Sequence, residues 1–204
     1  MSLPPQPRPR LSLNARKAEG LAYFLAFMAC IPLANWMIGH VGVNCVPGSG
    51  VPCLLPVLPW SPQGGPLMAP SGVLMIGIAL VLRDLVQRRL GVGVAAGAVL
   101  AGAAISALLA PPSLVIASAV AFLLSEFADL AVYTPLARRR LIAAVVASSI
   151  VGLVVDSIVF LYLAFGSLDF LLGQIVGKAW MVLLSIPFVH WLRRRDERLG
   201  LSPN

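Results

Sequence analysis

The chain has 204 residues, of which 59% are hydrophobic and only 11% charged, with a mean hydropathy of +0.91. Soluble domains carry about a quarter charged residues, so this composition excludes an ordinary water-soluble globule and points to helices that are apolar all round in a bilayer. A net charge of +7 and a pI near 10.2 would suit a nucleic-acid binder. The basic residues, however, fall in short clusters between long apolar runs, as membrane-flanking anchors do, so no nucleic-acid partner is expected.

A span needs about 20 mostly apolar residues. Six such stretches occur, at roughly 18–38, 70–89, 92–110, 113–134, 141–164 and 169–191, which predicts an all-α, polytopic six-helix bundle forming a single transmembrane domain over 1–204. Arg8, Arg10, Arg16 and Lys17 precede the first run, as in a secretory signal. That run continues to Asn35-Trp36-Met37 without a small-residue cleavage site, which argues against removal.

Between the first two spans, residues 39–69 contain no Lys, Arg, Asp or Glu and are rich in Pro and Gly. They are expected either to form a lid or interfacial cap on the outer face or to be a loose connector. Such a stretch cannot cross lipid with its backbone unsatisfied. Cys45 and Cys53 lie in it and can pair in an oxidising compartment. Cys30, inside the first run, reads as a packing residue.

The remaining loops set the expected orientation. Arg88 and Arg89 lie between the second and third spans, Arg138 to Arg140 between the fourth and fifth, and Arg193, Arg194, Arg195 and Arg198 follow the sixth. The alternate loops are nearly uncharged: the turn at Pro111-Pro112 has no charge and the last carries only Asp169. Positive charge marks the cytoplasmic side. Both termini are therefore expected in the cytoplasm, which an even number of spans satisfies.

Charges inside the spans cost roughly 2.5–3.5 kcal/mol each at mid-helix on an insertion scale, and they mark a functional interior. They are Arg83 and Asp84 in the second span, Glu126 and Asp129 in the fourth, Asp156 in the fifth and Lys178 in the sixth. Asp156 lies about eleven residues before the last turn and Lys178 about eleven after it. In an antiparallel hairpin this predicts an ion pair roughly 16 Å below the outer surface. The pair either locks the hairpin or opens to admit substrate or proton.

Phe122, Glu126, Asp129 and Tyr133 recur at four, three and four residues and so share one helix face. Two carboxylates a turn apart suit a proton site or a cationic or hydrogen-bond-donating ligand. Ser149, Gly152, Asp156 and Phe160 share a face of the fifth span, and Gln174 and Lys178 stand at i,i+4 in the sixth. The three faces are expected to make one polar pocket near the midplane, with Phe122, Phe160 and Tyr133 as stacking surfaces. Arg83 and Asp84 appear shallower, one turn from Arg88, where a local bridge or a snorkelling Arg competes with a gating or coupling role.

His40 and His190 lie near opposite faces and cannot share a metal. No Gly-rich phosphate loop, HExxH, GxSxG or CxxC is present. The chain is accordingly expected not to be an enzyme and to need no cofactor or metal.

Three segments carry a resemblance. One runs from Pro70-Ser71-Gly72 to Leu82-Arg83-Asp84-Leu85-Val86-Gln87-Arg88 and Leu90-Gly91; another is Ala121-Phe122-Leu123-Leu124-Ser125-Glu126-Phe127-Ala128-Asp129 with Val132-Tyr133. The third comprises Ser148-Ser149, Val155-Asp156-Ser157, Phe160, Ala164-Phe165-Gly166, Gly173-Gln174 and Gly177-Lys178. Together, over about residues 70–180, they resemble the queuosine-precursor transporter family, also called the vitamin-uptake-transporter family. The resemblance implies a bacterial inner-membrane importer of 7-deazaguanine bases, the cyano and aminomethyl precursors of queuosine. The implied partners are a purine-like small molecule and the lipid bilayer, with a homo-oligomer left open.

A guanine-like edge presents two adjacent N–H donors that one carboxylate can accept, and flat bases stack on aromatic or apolar groups. Asp156 or Glu126 is the expected acceptor, with Asp129, Gln174 and Lys178 as pocket or coupling partners and Phe160 or Phe122 as stacking surfaces. Six short spans would equally suit a substrate-binding membrane subunit of an ATPase-coupled vitamin importer. An assembly factor would leave the midplane charges without a role unless partner helices bind them.

Overall fold

The computed structural model describes residues 13–43, 45, 52–61, 64–109 and 115–200; Arg8, Arg10 and the Pro111-Pro112 turn lie outside them. Six helices carry the chain: α1 (Leu13–His40), α2 (Val73–Leu90), α3 (Val92–Leu109), α4 (Val115–Ala137), α5 (Leu141–Phe165) and α6 (Leu171–Leu199). Their order and approximate bounds follow the hydropathy reading, except that α1 begins earlier and α6 runs eight residues beyond the expected end at 191.

Five of the six are long and apolar enough to cross a membrane, so the chain is a multi-pass helical membrane protein. The exception is α2, whose 18 residues include Arg83, Asp84, Arg88 and Arg89. Many large apolar side chains point away from the protein, among them Leu25, Leu100, Leu108, Ile116 and Leu184, as lipid-facing positions would.

The helix α2 is central. One buried cluster joins its Ala79 and Val86 to Phe27 and Ile31 of α1, Ala95, Ala98, Val99 and Ala103 of α3, and Phe122 of α4. A second joins its Val81 and Leu85 to Tyr133 of α4, Leu141, Ala144 and Val145 of α5, and Val182, Val189 and Leu192 of α6. The alanine-rich face of α3 lets its backbone come close to its neighbours, the packing that membrane helices favour where lipid removes the hydrophobic drive. Between α2 and α3 the reversal needs one residue, Gly91, whose φ of +92° a residue with a Cβ rarely adopts. Its N–H closes the end of α2 on the Gln87 carbonyl at 2.8 Å.

Among its described residues, the connection between α1 and α2 is not purely a loop. Strands β1 (Leu54–Leu58) and β2 (Leu67–Pro70) pair antiparallel, Leu54 opposite Pro70 and Leu55 opposite Ala69, with an irregularity between Pro56 and Leu58. Proline is a poor strand residue, and this is why Leu54-Leu55-Pro56-Val57-Leu58 does not read as one. In a two-stranded ribbon both strands are edges, where its missing N–H is tolerated. Cys45 and Cys53 are disulfide-bonded.

The hairpin is tied down on several sides. Cys53 donates its N–H to the Ile38 carbonyl at 2.8 Å, and Ser71 Oγ donates to the Met37 carbonyl at 2.7 Å. Trp180 Nε1 donates to the Val57 carbonyl at 3.2 Å. It therefore caps the bundle over the end of α1, the start of α2 and the first turns of α6.

Gly173 lets α6 approach: a Cβ there would run into the Met68 carbonyl oxygen. Replacing Gly173 with Ala should therefore lower stability by about 1–3 kcal/mol, the usual cost of overpacking. Thermal unfolding of the detergent-solubilised protein reads this, and an unchanged midpoint would mean that the hairpin does not rest on α6.

Candidate functional site: a capped pocket beside a buried charge cluster

Beneath the hairpin lies a cavity enclosed by α1, α2, α3, α4, α5 and α6. Its walls are Ile31, Ala34, Asn35 and Ile38 of α1, Pro70 of β2, Gly72 and the α2 residues Val73 and Ile76, Ser106 of α3, Ser118 and Phe122 of α4, Asp156 and Phe160 of α5, and Gln174 and Lys178 of α6. It offers about 60 Å³ to the centres of water-sized molecules, room for a small molecule.

One pole of the cavity is ionic. Lys178 Nζ donates to Asp156 Oδ2 at 2.5 Å, to Ser157 Oγ at 2.8 Å and to Gln174 Oε1 at 2.8 Å, so all three ammonium donors are used. Asp156 and Lys178 thus meet across the α5–α6 hairpin, as the residue spacing predicts. Asp156 retains 12% side-chain exposure and Lys178 only 1%, so the carboxylate is the member of the pair open to a ligand.

The other pole is neutral. Ser106 and Ser118 hydroxyls lie 2.8 Å apart, and Asn35 Nδ2 donates to the Ile31 carbonyl at 3.0 Å. The aromatic part of the lining is Phe122, tilted against Phe27 at 6.1 Å, and Phe160, edge-on to Phe165 at 6.0 Å.

The expected single pocket is in fact two sites. Glu126 and Asp129 do share the α4 face with Phe122 and Tyr133, and all four are buried, but neither carboxylate lines the cavity. They turn instead to Arg83, which is fully buried and not shallow. Its Nε meets Glu126 Oε2 at 3.0 Å, its Nη2 meets Asp129 Oδ2 at 2.5 Å, and its Nη1 meets Asp84 Oδ1 at 2.8 Å. Ser148 Oγ donates to Asp84 Oδ2 at 3.0 Å.

A snorkelling arginine is therefore ruled out, and the local Arg83–Asp84 bridge is only one arm of a cluster that joins α2 to α4. Tyr133 lies on the far side, where it lines a separate recess with Gln87, Arg88 and Arg138, so it offers no surface to the cavity.

A third charged layer gathers where α2 and α6 end and α1 begins. Asp196 accepts from Arg88 Nη2 and Arg89 Nη2, each at 2.8 Å, and Glu19 accepts from Arg195 Nη2 at 2.6 Å and pairs with Arg89 Nε at 3.2 Å. These arginines read in the sequence only as anchors of topology. Both acidic partners were missed: Asp196 because α6 was expected to end at 191, and Glu19 because it stands at the start of the first span, where nothing local shows which helix lies beside it. Asn35, Ser106 and Ser118 were missed too, and the signal for them was the same as for the charges: polar groups isolated in apolar runs.

Residues 106–192 match the protein-family model described as "Putative vitamin uptake transporter". The matched stretch runs from the end of α3 through most of α6, and so contains Phe122, Asp156, Phe160, Gln174 and Lys178 but not Arg83. Neither a curated protein nor a solved structure matches the chain.

Removing one side of a buried ion cluster costs about 3–5 kcal/mol because it strands the other. Arg83→Met leaves three carboxylates uncompensated and should prevent a folded, monodisperse preparation. Glu126→Gln relieves a charge excess and should keep the wild-type unfolding temperature or raise it. The reverse order of stabilities in a thermal scan would refute the cluster.

Proposed function

We propose that the protein is a transporter of the bacterial inner membrane that imports 7-deazaguanine bases, the 7-cyano or 7-aminomethyl precursors of queuosine. In this reading all six helices span the bilayer, both termini are cytoplasmic and the hairpin faces outward. The observation that carries it is the cavity under the hairpin: an accessible carboxylate, Asp156, held by Lys178 and flanked by Phe122 and Phe160, within the stretch that matches the vitamin-transporter family.

Three features support the orientation. The charges of α2 are matched by partners on other helices, so the helix need not meet lipid with bare charges and can cross as a central span. The basic residues Arg88, Arg89, Arg138 to Arg140 and Arg193 to Arg195 belong to the connections on the side of the termini. A disulfide in the hairpin suits the oxidising side of a cell membrane.

The substrate follows from the pocket's chemistry. A carboxylate accepts the paired N–H donors of a guanine-like edge, and each such charge-assisted bond is worth about 1.5–3 kcal/mol. The flat bicycle lies between Phe122 and Phe160, Gln174 supplies a further polar contact on that side, and Lys178 holds Asp156 in place. Asn35 and the Ser106–Ser118 pair, at the opposite pole, meet the polar group carried at the base's 7-position. Glu126, the other acceptor considered in the sequence, faces Arg83 and plays no part in this contact.

The test uses cells that cannot synthesise the precursor, fed low concentrations of 7-cyano-7-deazaguanine, with queuosine in tRNA as the readout. The wild-type gene should restore the modification. Asp156→Asn and Lys178→Met, each verified in the membrane, should lower it at least about tenfold, the loss of one charged hydrogen bond. Restoration by Asp156→Asn at the wild-type level would remove Asp156 as the acceptor; no restoration by inserted wild-type protein with either base would remove the substrate.

A further inference from the structure

The mechanism above uses the cavity and leaves the deepest charges of the protein without a task. Arg83, Asp84, Glu126 and Asp129 form a cluster whose side chains are at most 1% exposed. One guanidinium faces three carboxylates there, so with all four ionised the formal charge is −2. The neighbouring Lys178–Asp156 pair contributes nothing to the balance, because its own charges cancel.

No other cation compensates the excess among the described residues. The helix α3 carries no titratable side chain; α1 brings Arg16, Lys17, Glu19 and Tyr23 at its N-terminal end, the last two bonded to each other, with Cys30 further along and His40 at its far end. The arginines nearest in sequence, Arg88 and Arg89, are committed to Asp196. From α5 come Asp156 and, near its end, Tyr162; from α6 come Lys178 and, towards its C-terminal end, His190, Arg193, Arg194, Arg195, Asp196, Glu197 and Arg198, where Arg193 pairs with Glu197 and Arg195 with Glu19.

Two buried hydroxyls point to something more than charge. Tyr133 Oη, on a fully buried residue, has no hydrogen-bond partner, and it stands within electrostatic reach of Asp84, Arg88, Arg83 and Asp129. Ser149 Oγ, next to the Ser148 that bonds Asp84, is also buried without a partner. A buried hydroxyl left unsatisfied costs about 1–3 kcal/mol, and both would be satisfied by a proton-bearing carboxyl or a water carrying a proton. The side chains do not form a group suited to a metal ion among the described residues.

We propose that this cluster is a proton site that couples transport to a proton gradient, a role that rests on the transporter reading above. A proton taken up from the substrate's side of the membrane neutralises one carboxylate while the base is bound, and is released on the other side after the base leaves. Glu126 links the two sites. It lies one turn from Phe122 in the cavity wall, bonds Arg83, and is near enough to Asp156 for the two charges to repel. A proton on Glu126 removes that repulsion, so the protonated cluster and the anionic Asp156 that accepts the base's N–H donors favour one another. The base is neutral, and the charge moved is the proton's.

Full-length protein in liposomes tests this with radiolabelled 7-cyano-7-deazaguanine as probe. Counterflow against unlabelled base, without a gradient, reports binding and translocation alone; uptake with acid outside reports coupling. For one proton per base, a gradient of one pH unit should drive about tenfold accumulation in the wild type, abolished by a protonophore. Asp129→Asn and Glu126→Gln, whose side chains do not line the cavity, should keep counterflow within about twofold and lose the accumulation.

Normal wild-type counterflow with no response to the gradient overturns the coupling and leaves the transporter reading standing. Accumulation by both variants at the wild-type level overturns it as well. If inserted wild-type protein shows no counterflow, the choice of base falls. Infrared difference spectra on acidification then judge the site: a protonated-carboxyl band that Asp129→Asn removes supports it, and no such band overturns it.

Discussion

Arg83 cannot be deprotonated and has no water around it, and the rest of the bundle is arranged to make that tolerable. A guanidinium offers five N–H donors in a planar fork. In the interior it must meet carboxylates whose own desolvation it offsets, or the helix carrying it will not insert. Asp84 comes from its own helix, Glu126 and Asp129 from α4, so α2 has to lie against α4. Ser148 on Asp84 brings in α5. The helix that looks least able to enter a membrane is the one around which both apolar clusters assemble.

The three charged layers differ in how far water can replace the protein in them. At the end where α1 begins and α2 and α6 finish, only the Glu19–Arg195 pair keeps exposure, 15% and 27% of its side chains, while Arg88, Arg89 and Asp196 are at most 6% exposed. The Asp156–Lys178 pair is open only on the side of Asp156, towards the cavity. The Arg83 cluster has no such opening. Exchange with solvent is thus easiest at Glu19 and Arg195, confined to Asp156 at the cavity and dear at the cluster, where a proton is the smallest thing that can change the charge.

Which parts were legible in the sequence follows from which interactions are local. Spans come from composition along the chain, and six helices appear where six apolar runs stand. The Asp156–Lys178 contact was also legible, because a short turn fixes the register of two antiparallel helices and residue counting then gives depth. The Arg83 contacts were not: Arg83 is 43 residues from Glu126, and nothing local says which helix lies beside α2 or how it is rotated. Helical spacing put Phe122 and Glu126 correctly on one face of α4, but a face is wide enough to serve two neighbours. Phe122 reaches the cavity, and one turn further Glu126 reaches Arg83. Proline hid the hairpin, since Pro56 and Pro70 argue against strands everywhere except at a free edge.

The cap and the cavity constrain each other. The hairpin is held by the α1 carbonyls of Met37 and Ile38, by a disulfide and by Trp180 of α6. Two of those anchors, the end of α1 and the middle of α6, also supply cavity walls through Ile38, Gln174 and Lys178. A cap joined to the cavity wall at both ends cannot move as a free flap without moving Lys178 or Asn35 with it. The same two helices, α1 and α6, are bridged at the opposite end by Glu19 and Arg195. Both pack against α2, whose Arg89 joins Glu19 of α1 to Asp196 of α6, so α2 ties the walls of the cavity together at the end away from the cap.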